Sequence, residues 1–113
     1  MSSSFPKELK IRKSSEYEKI FGKSKKLHTE HFNIMYMPNT LGYSRAGFVV
    51  AKKNVPGAVG RNRVKRVLRE VFRQNKSLFD SLDVLFVAKK GSETLDYCLA
   101  KKEIEEIIRS ELS

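Results

Sequence analysis

Arg61-Asn62-Arg63-Val64-Lys65-Arg66-Val67-Leu68-Arg69-Glu70-Val71-Phe72-Arg73 sets six cations among five apolar residues. Projected at about 100° per residue from Val64, the side chains of Val67, Leu68, Val71 and Phe72 fall within roughly −60° to +80°, a stripe wide enough for one core contact. Asn62, Lys65, Arg66, Arg69 and Arg73 fall on the other side, between about 100° and 200°. A solvated helix usually interleaves acids with its bases, but Glu70 is the only carboxylate in this stretch. The segment therefore reads as an amphipathic helix with one face for a core and one for a polyanion. The plainer reading is a solvated basic face on a core helix.

Charge along the chain favours the polyanion. Ten Lys and Arg and one acid lie between Arg45 and Lys76, whereas the formal charge of all 113 residues is +10. The other segments nearly cancel, so a cationic surface is concentrated around one helix and the loop before it. In that loop Lys52 and Lys53 follow an apolar strand, and Gly57 and Gly60 permit close backbone approach. Arginine's planar fork suits phosphate oxygens. Asn62 adds no charge. Its amide can read a base edge or meet a ribose hydroxyl, and its alternative role is helix capping.

Outward from this helix, the length fits a single nucleic-acid-binding domain over residues 1–113, with residues 1–13 a flexible basic arm. Ser15 with Glu18 resembles a capping box, opening a helix that carries Tyr17, Ile20 and Phe21 and stops at Gly22. A short strand is expected around Lys25–His28. Phe32–Met37 has strand composition, Pro38–Gly42 a turn, and Tyr43–Ala51 a second strand. The basic helix runs to about Asn75, and the continuous apolar run Asp83–Ala88 suits a strand covered on both faces. A last helix from Tyr97 to Leu112 turns Leu99, Ile104, Ile107 and Ile108 inward, and Glu103, Glu105 and Glu106 to water. The strands on either side of the basic helix are expected to be parallel.

Tyr17 and Phe21 lie one turn apart, which suits either a core pair or two rings on which single-stranded bases stack. Two histidines and one cysteine supply no zinc spacing. The acids lie away from the basic segment, there is no P-loop, and no nucleophilic triad can be assembled. His28 and His31 read as surface or sheet-edge residues. No apolar run approaches the roughly 20 residues of a membrane span, no signal sequence is evident, and Cys98 has no internal partner, so a cytoplasmic binder without membrane or disulfide partners is expected.

The run Ala51-Lys52-Lys53-Asn54, then Ala58-Val59-Gly60-Arg61-Asn62-Arg63-Val64-Lys65-Arg66, with Arg69-Glu70 and Phe72-Arg73, resembles the signature of the bacterial ribonuclease P protein component. Ser15–Phe21 and Asp83–Gly91 resemble its first helix and its last strand and turn. The resemblance implies an α+β fold, a two-layer α/β sandwich of order α-β-β-β-α-β-α, with a four-stranded mixed sheet and a left-handed βαβ crossover, against the usual hand. It also implies the protein subunit of an endoribonuclease whose RNA carries the chemistry, the magnesium-dependent removal of the 5′ leader from precursor tRNA. No catalytic residue and no protein-only metal site follow from it. Matched by position, Lys52, Lys53, Arg61, Asn62, Arg63, Lys65, Arg66, Arg69 and Arg73 would bind RNA, and Tyr17, Phe21, Arg61 and Asn62 would meet the leader. Tyr17 stands where that family commonly has Phe, and Pro56 with Gly60 makes the helix start irregular. A small ribosomal or ribosome-associated protein would share the charge, but would not need Tyr17 and Phe21 exposed in a groove. A DNA-binding helix-turn-helix is disfavoured by the strands of the first half, and a protein-only nuclease by the dispersed acids.

Overall fold

The computed structural model of the chain describes Ile11 and residues 14–112, with side chains for Ile11 and Tyr17–Glu111. The elements are α1 (Ser14–Lys23), β1 (Lys25–His28), β2 (Phe32–Pro38), β3 (Arg45–Val49), α2 (Ala58–Gln74), β4 (Leu82–Ala88) and α3 (Tyr97–Leu112). The strands form one sheet in the order β1-β2-β4-β3. β1 and β4 each run antiparallel to β2, and β3 is parallel to β4, as expected of two strands joined by a helix.

Strand alternation sorts the apolar residues between two faces. Phe32, Ile34, Tyr36, Ala46, Val84, Phe86 and Ala88 pack with Val64, Leu68, Val71 and Phe72 of α2 and Ala100, Ile104 and Ile108 of α3. Leu85 points the other way and packs with Ile11, Ile20 and the half-buried Tyr17, Met35, Met37, Val49 and Val87. Two helices thus cover one face while α1 crosses part of the other, adding a partial third layer to the expected two. β4 is central and covered on both sides, which accounts for its unbroken apolar run. Aromatic contacts tie α2 to the sheet: Phe72 and Phe79 lie 5.4 Å apart, Phe79 meets Phe86 edge-on at 5.8 Å, and Phe86 stacks on Phe48 at 5.7 Å.

Several expectations need correction. Gly22 lies inside α1 and does not end it. The side chain of Ser15, half of the expected capping box, and most of the N-terminal arm lie outside the described residues. Ile11, placed in that arm by the sequence reading, is buried, and its N–H donates to Ala46 O at 3.0 Å on the outer edge of β3. α2 starts at Ala58, a turn earlier than read, with Gly57 as N-cap and no capping side chain, so Asn62 is not its cap. On α3 the buried line is Ala100, Ile104 and Ile108, while Leu99 is 54% exposed. That line has a four-residue spacing, which leaves Leu99 off the stripe.

Glu103 is also not a water-facing residue. Its carboxylate accepts from the Thr29 hydroxyl, from the His31 N–H at 2.7 Å and from the His31 ring Nδ1 at 2.8 Å. These bonds fasten the β1–β2 turn to α3. Burial pushes Glu103 upward, but the bonds from Thr29 and His31 outweigh it and hold the group below the ordinary carboxylate range.

Candidate nucleic-acid interface

α2 presents the two faces read from its sequence. Val64, Leu68, Val71 and Phe72 are buried and Val67 is partly buried, while Asn62, Arg63, Arg66 and Arg73 are exposed. The first turn has no acid and no side-chain cap, so unpaired helix N–H groups add their partial positive charge to the cations.

The cations divide by what they touch. Arg61 folds back on the preceding loop, with Nη1 donating to Val55 O at 3.0 Å and Pro56 O at 2.6 Å. Arg63 turns towards the segment after β4 and donates to Glu93 O at 3.1 Å. Arg73 grips Glu70 with two bonds of 3.0 and 2.8 Å. Arg73, and then Gln74, hold Glu70 below the ordinary carboxylate range, and Glu70 raises Arg73. Lys52, Lys53, Asn62, Lys65, Arg66 and Arg69 have no hydrogen-bond or ion-pair partner for their side chains among the described residues. Those groups can bind phosphate without first breaking a protein contact.

Lys52 and Lys53 lie in a tight turn after β3, where Asn54 N and Val55 N both donate to Ala51 O, at 3.1 and 3.0 Å. The Asn54 amide donates to Ala88 O at 3.0 Å, and Val55 is buried. The basic pair therefore sits on a loop fixed at the ends of β3 and β4.

β3 is the outer strand on its side of the sheet, and the elements on the two sheet faces meet around it. A groove of ≈ 130 Å³ is lined by Tyr17 from α1, Ala46, Gly47 and Phe48 from β3, and Lys65 and Arg69 from α2, with Ile11 alongside. Gly47 makes the arrangement possible: a Cβ there would lie 2.8 Å from Tyr17 Oη and 2.9 Å from Leu85 Cδ1. Only a residue without a side chain lets the phenol ring lie against the strand. The structure thus brings Tyr17 together with Lys65 and Arg69. Phe21 does not line this groove and stands 44% exposed further along α1, while Arg61 and Asn62 lie at the opening turns of α2.

Sequence reading did not identify Gly47, although an isolated glycine in an apolar strand signals a close approach. It also missed Asp83, a buried carboxylate that accepts from Arg45 Nε at 2.9 Å, Arg45 Nη2 at 2.7 Å and the Asn39 amide at 2.9 Å. Arg45 is thereby a clamp between β3 and β4 and not part of the free cationic surface.

The family model for ribonuclease P matches residues 5–111. The chain belongs to the ribonuclease P protein family. It is 47% identical over 96 residues to the ribonuclease P protein component of Citrifermentans bemidjiense, covering 85% of this chain and 82% of that one. The corresponding protein of Escherichia coli O157:H7 is 37% identical over 105 residues, covering 93% and 88%. Among solved structures, the RNase P protein of Thermotoga maritima superposes with a TM-score of 0.80 at 27% identity, covering 92% of this chain and 98% of that one. The fold is shared with the Staphylococcus aureus RNase P protein, with a TM-score of 0.82 at 24% identity and coverage of 92% and 95%. Family membership makes this chain the protein component of a tRNA-processing endoribonuclease.

Proposed function

We propose that this subunit binds the catalytic RNA of ribonuclease P and the single-stranded 5′ leader of precursor tRNA, and thereby promotes magnesium-dependent cleavage of the leader in the cytoplasm. The observation that carries this reading is the groove in which a ring from α1 meets two unpartnered cations from α2 across a strand left without a side chain at Gly47. Unpaired bases stack on a ring while a passing phosphate backbone needs unpaired positive charge. Lys52, Lys53, Arg66 and Arg69 would take RNA phosphates directly. Arg61, Arg63 and Arg73 would do so while also holding loop carbonyls or Glu70. Asn62, exposed on the second turn of α2, is suited to a base edge or ribose hydroxyl.

No three His, Cys, Asp or Glu side chains among the described residues converge to hold a metal ion. In this reading the RNA phosphates hold the magnesium. The chain orients the substrate and neutralises phosphate repulsion.

The test uses the assembled enzyme with precursor tRNA and mature tRNA as ligands. Tyr17→Ala is expected to weaken the leader-bearing ligand by about five- to a hundredfold, the range for losing one stacking platform, with a much smaller effect on mature tRNA. Equal losses on both ligands would overturn the leader assignment. Addition of the purified chain to bacterial ribonuclease P RNA at low magnesium is expected to stimulate 5′ cleavage, and no stimulation would count against the RNA partner.

A further inference from the structure

The groove at Gly47 is not the end of the seam between β3 and α2. A second depression of ≈ 290 Å³ lies along it, lined by Gly42, Tyr43, Ser44, Lys76, Ser77 and Asp80. Its lining steps from 46–48 to 42–44, just before β3, and from 65 and 69 on α2 to 76, just after that helix. Tyr43 is four residues before Gly47, in the turn that leads into β3. Lys76 is seven residues after Arg69, just past the C-terminus of α2, where it opens the short 3₁₀ turn Lys76–Phe79. The two depressions are therefore successive stations on one track.

The second station has the components of a nucleoside site. Tyr43 is 40% exposed and lines the depression. Its backbone is held in place: the Asn39 amide donates to Tyr43 O at 3.0 Å and to Asp83 at 2.9 Å, and Gly42 takes φ +83 in the turn before it. Lys76 and Asp80 have no ion-pair or hydrogen-bond partner among the described residues. A lysine alone would suit any phosphate. A lysine, a carboxylate and a serine hydroxyl around a ring suit a base with a polar edge and its own phosphate. The carboxylate accepts only, so it favours a base that offers amino hydrogens, such as cytosine, over uracil.

We propose that this depression is a second RNA-binding station, in which one unpaired base stacks on Tyr43, its phosphate pairs with Lys76, and Asp80 accepts from its amino group. The inference rests on the reading of the Gly47 groove as an RNA track and extends that track to the far end of the helix.

The full ¹⁵N-labelled chain, titrated with short oligoribocytidylate and oligoribouridylate, tests it. Amide shifts are expected at Ala46–Phe48 and again at Gly42–Ser44 and Ser77, with the cytidylate bound more tightly. Tyr43→Ala should weaken cytidylate binding about tenfold and Tyr43→Phe should retain it, as expected for stacking at an exposed ring. Asp80→Asn should level the two oligonucleotides. Shifts confined to Ala46–Phe48, or an unchanged affinity in Tyr43→Ala, would overturn the second station and leave the first standing. Shifts at neither place would overturn both.

Discussion

Gly47→Ala tests the geometry on which the groove depends. The added methyl would lie 2.8 Å from Tyr17 Oη, 3.1 Å from Tyr17 Cε1 and 2.9 Å from Leu85 Cδ1. Leu85 is fully buried beneath the strand, whereas Tyr17 is half-buried at the groove, so the ring is the group that must lift. Overpacking of this kind costs about 1–3 kcal/mol. Alanine recovers about 0.5–1 kcal/mol relative to glycine in a strand. The net expectation is destabilisation by up to roughly 2.5 kcal/mol. Urea unfolding should show a lower midpoint with an unchanged slope. In a Tyr17→Ala background both tyrosine contacts vanish, and the cost of Gly47→Ala should fall by about 1 kcal/mol, a coupling measured by the double-mutant cycle. Because the ring is displaced, affinity for a leader-bearing ligand should fall as well. Strict additivity of the two substitutions, or a more stable Gly47→Ala, would refute the account of why glycine stands there.

Three other outcomes follow from the same geometry. Asp83→Ala leaves the Arg45 guanidinium without its bidentate partner at a buried site, and should cost about 3–5 kcal/mol in chemical unfolding. Glu103 sits below its ordinary value in the folded chain, so its contribution is complete above the unfolded carboxylate pKa and lost as pH falls through the depressed folded one. Unfolding followed from neutral pH downwards should therefore show wild type and Glu103→Gln converging in the acid range, and a constant gap would contradict the assignment. Arg66→Gln and Arg69→Gln should each lower the slope of log affinity against log salt by about 0.7 per lost single-strand phosphate contact. An unchanged slope would place that residue off the RNA.

The fold was legible wherever one physical signal decided an element. The apolar stripe of α2, the unbroken run of β4 and the crossover between two parallel strands were all readable, because burial on one or two faces imposes a period on local sequence. The ends of elements were less legible. Gly22 resembles a helix stop, yet α1 passes through it to Lys23, and the core line of α3 runs through Ala100, a residue too small to dominate a pattern of isoleucine and leucine.

By itself, the sequence determined that this chain is strongly basic, and which helix carries its charge, since composition and periodicity are local properties. Only the tertiary structure decided which charges are free. Arg45 is separated from Asp83, and Glu103 from Thr29 and His31, by long stretches of chain, and no local rule pairs them. Tyr17, Gly47 and Arg69 likewise come from three elements, and become one groove only where elements from both faces of the sheet meet around β3. A site assembled at such a junction depends on long-range packing, which charge and spacing along the chain do not encode.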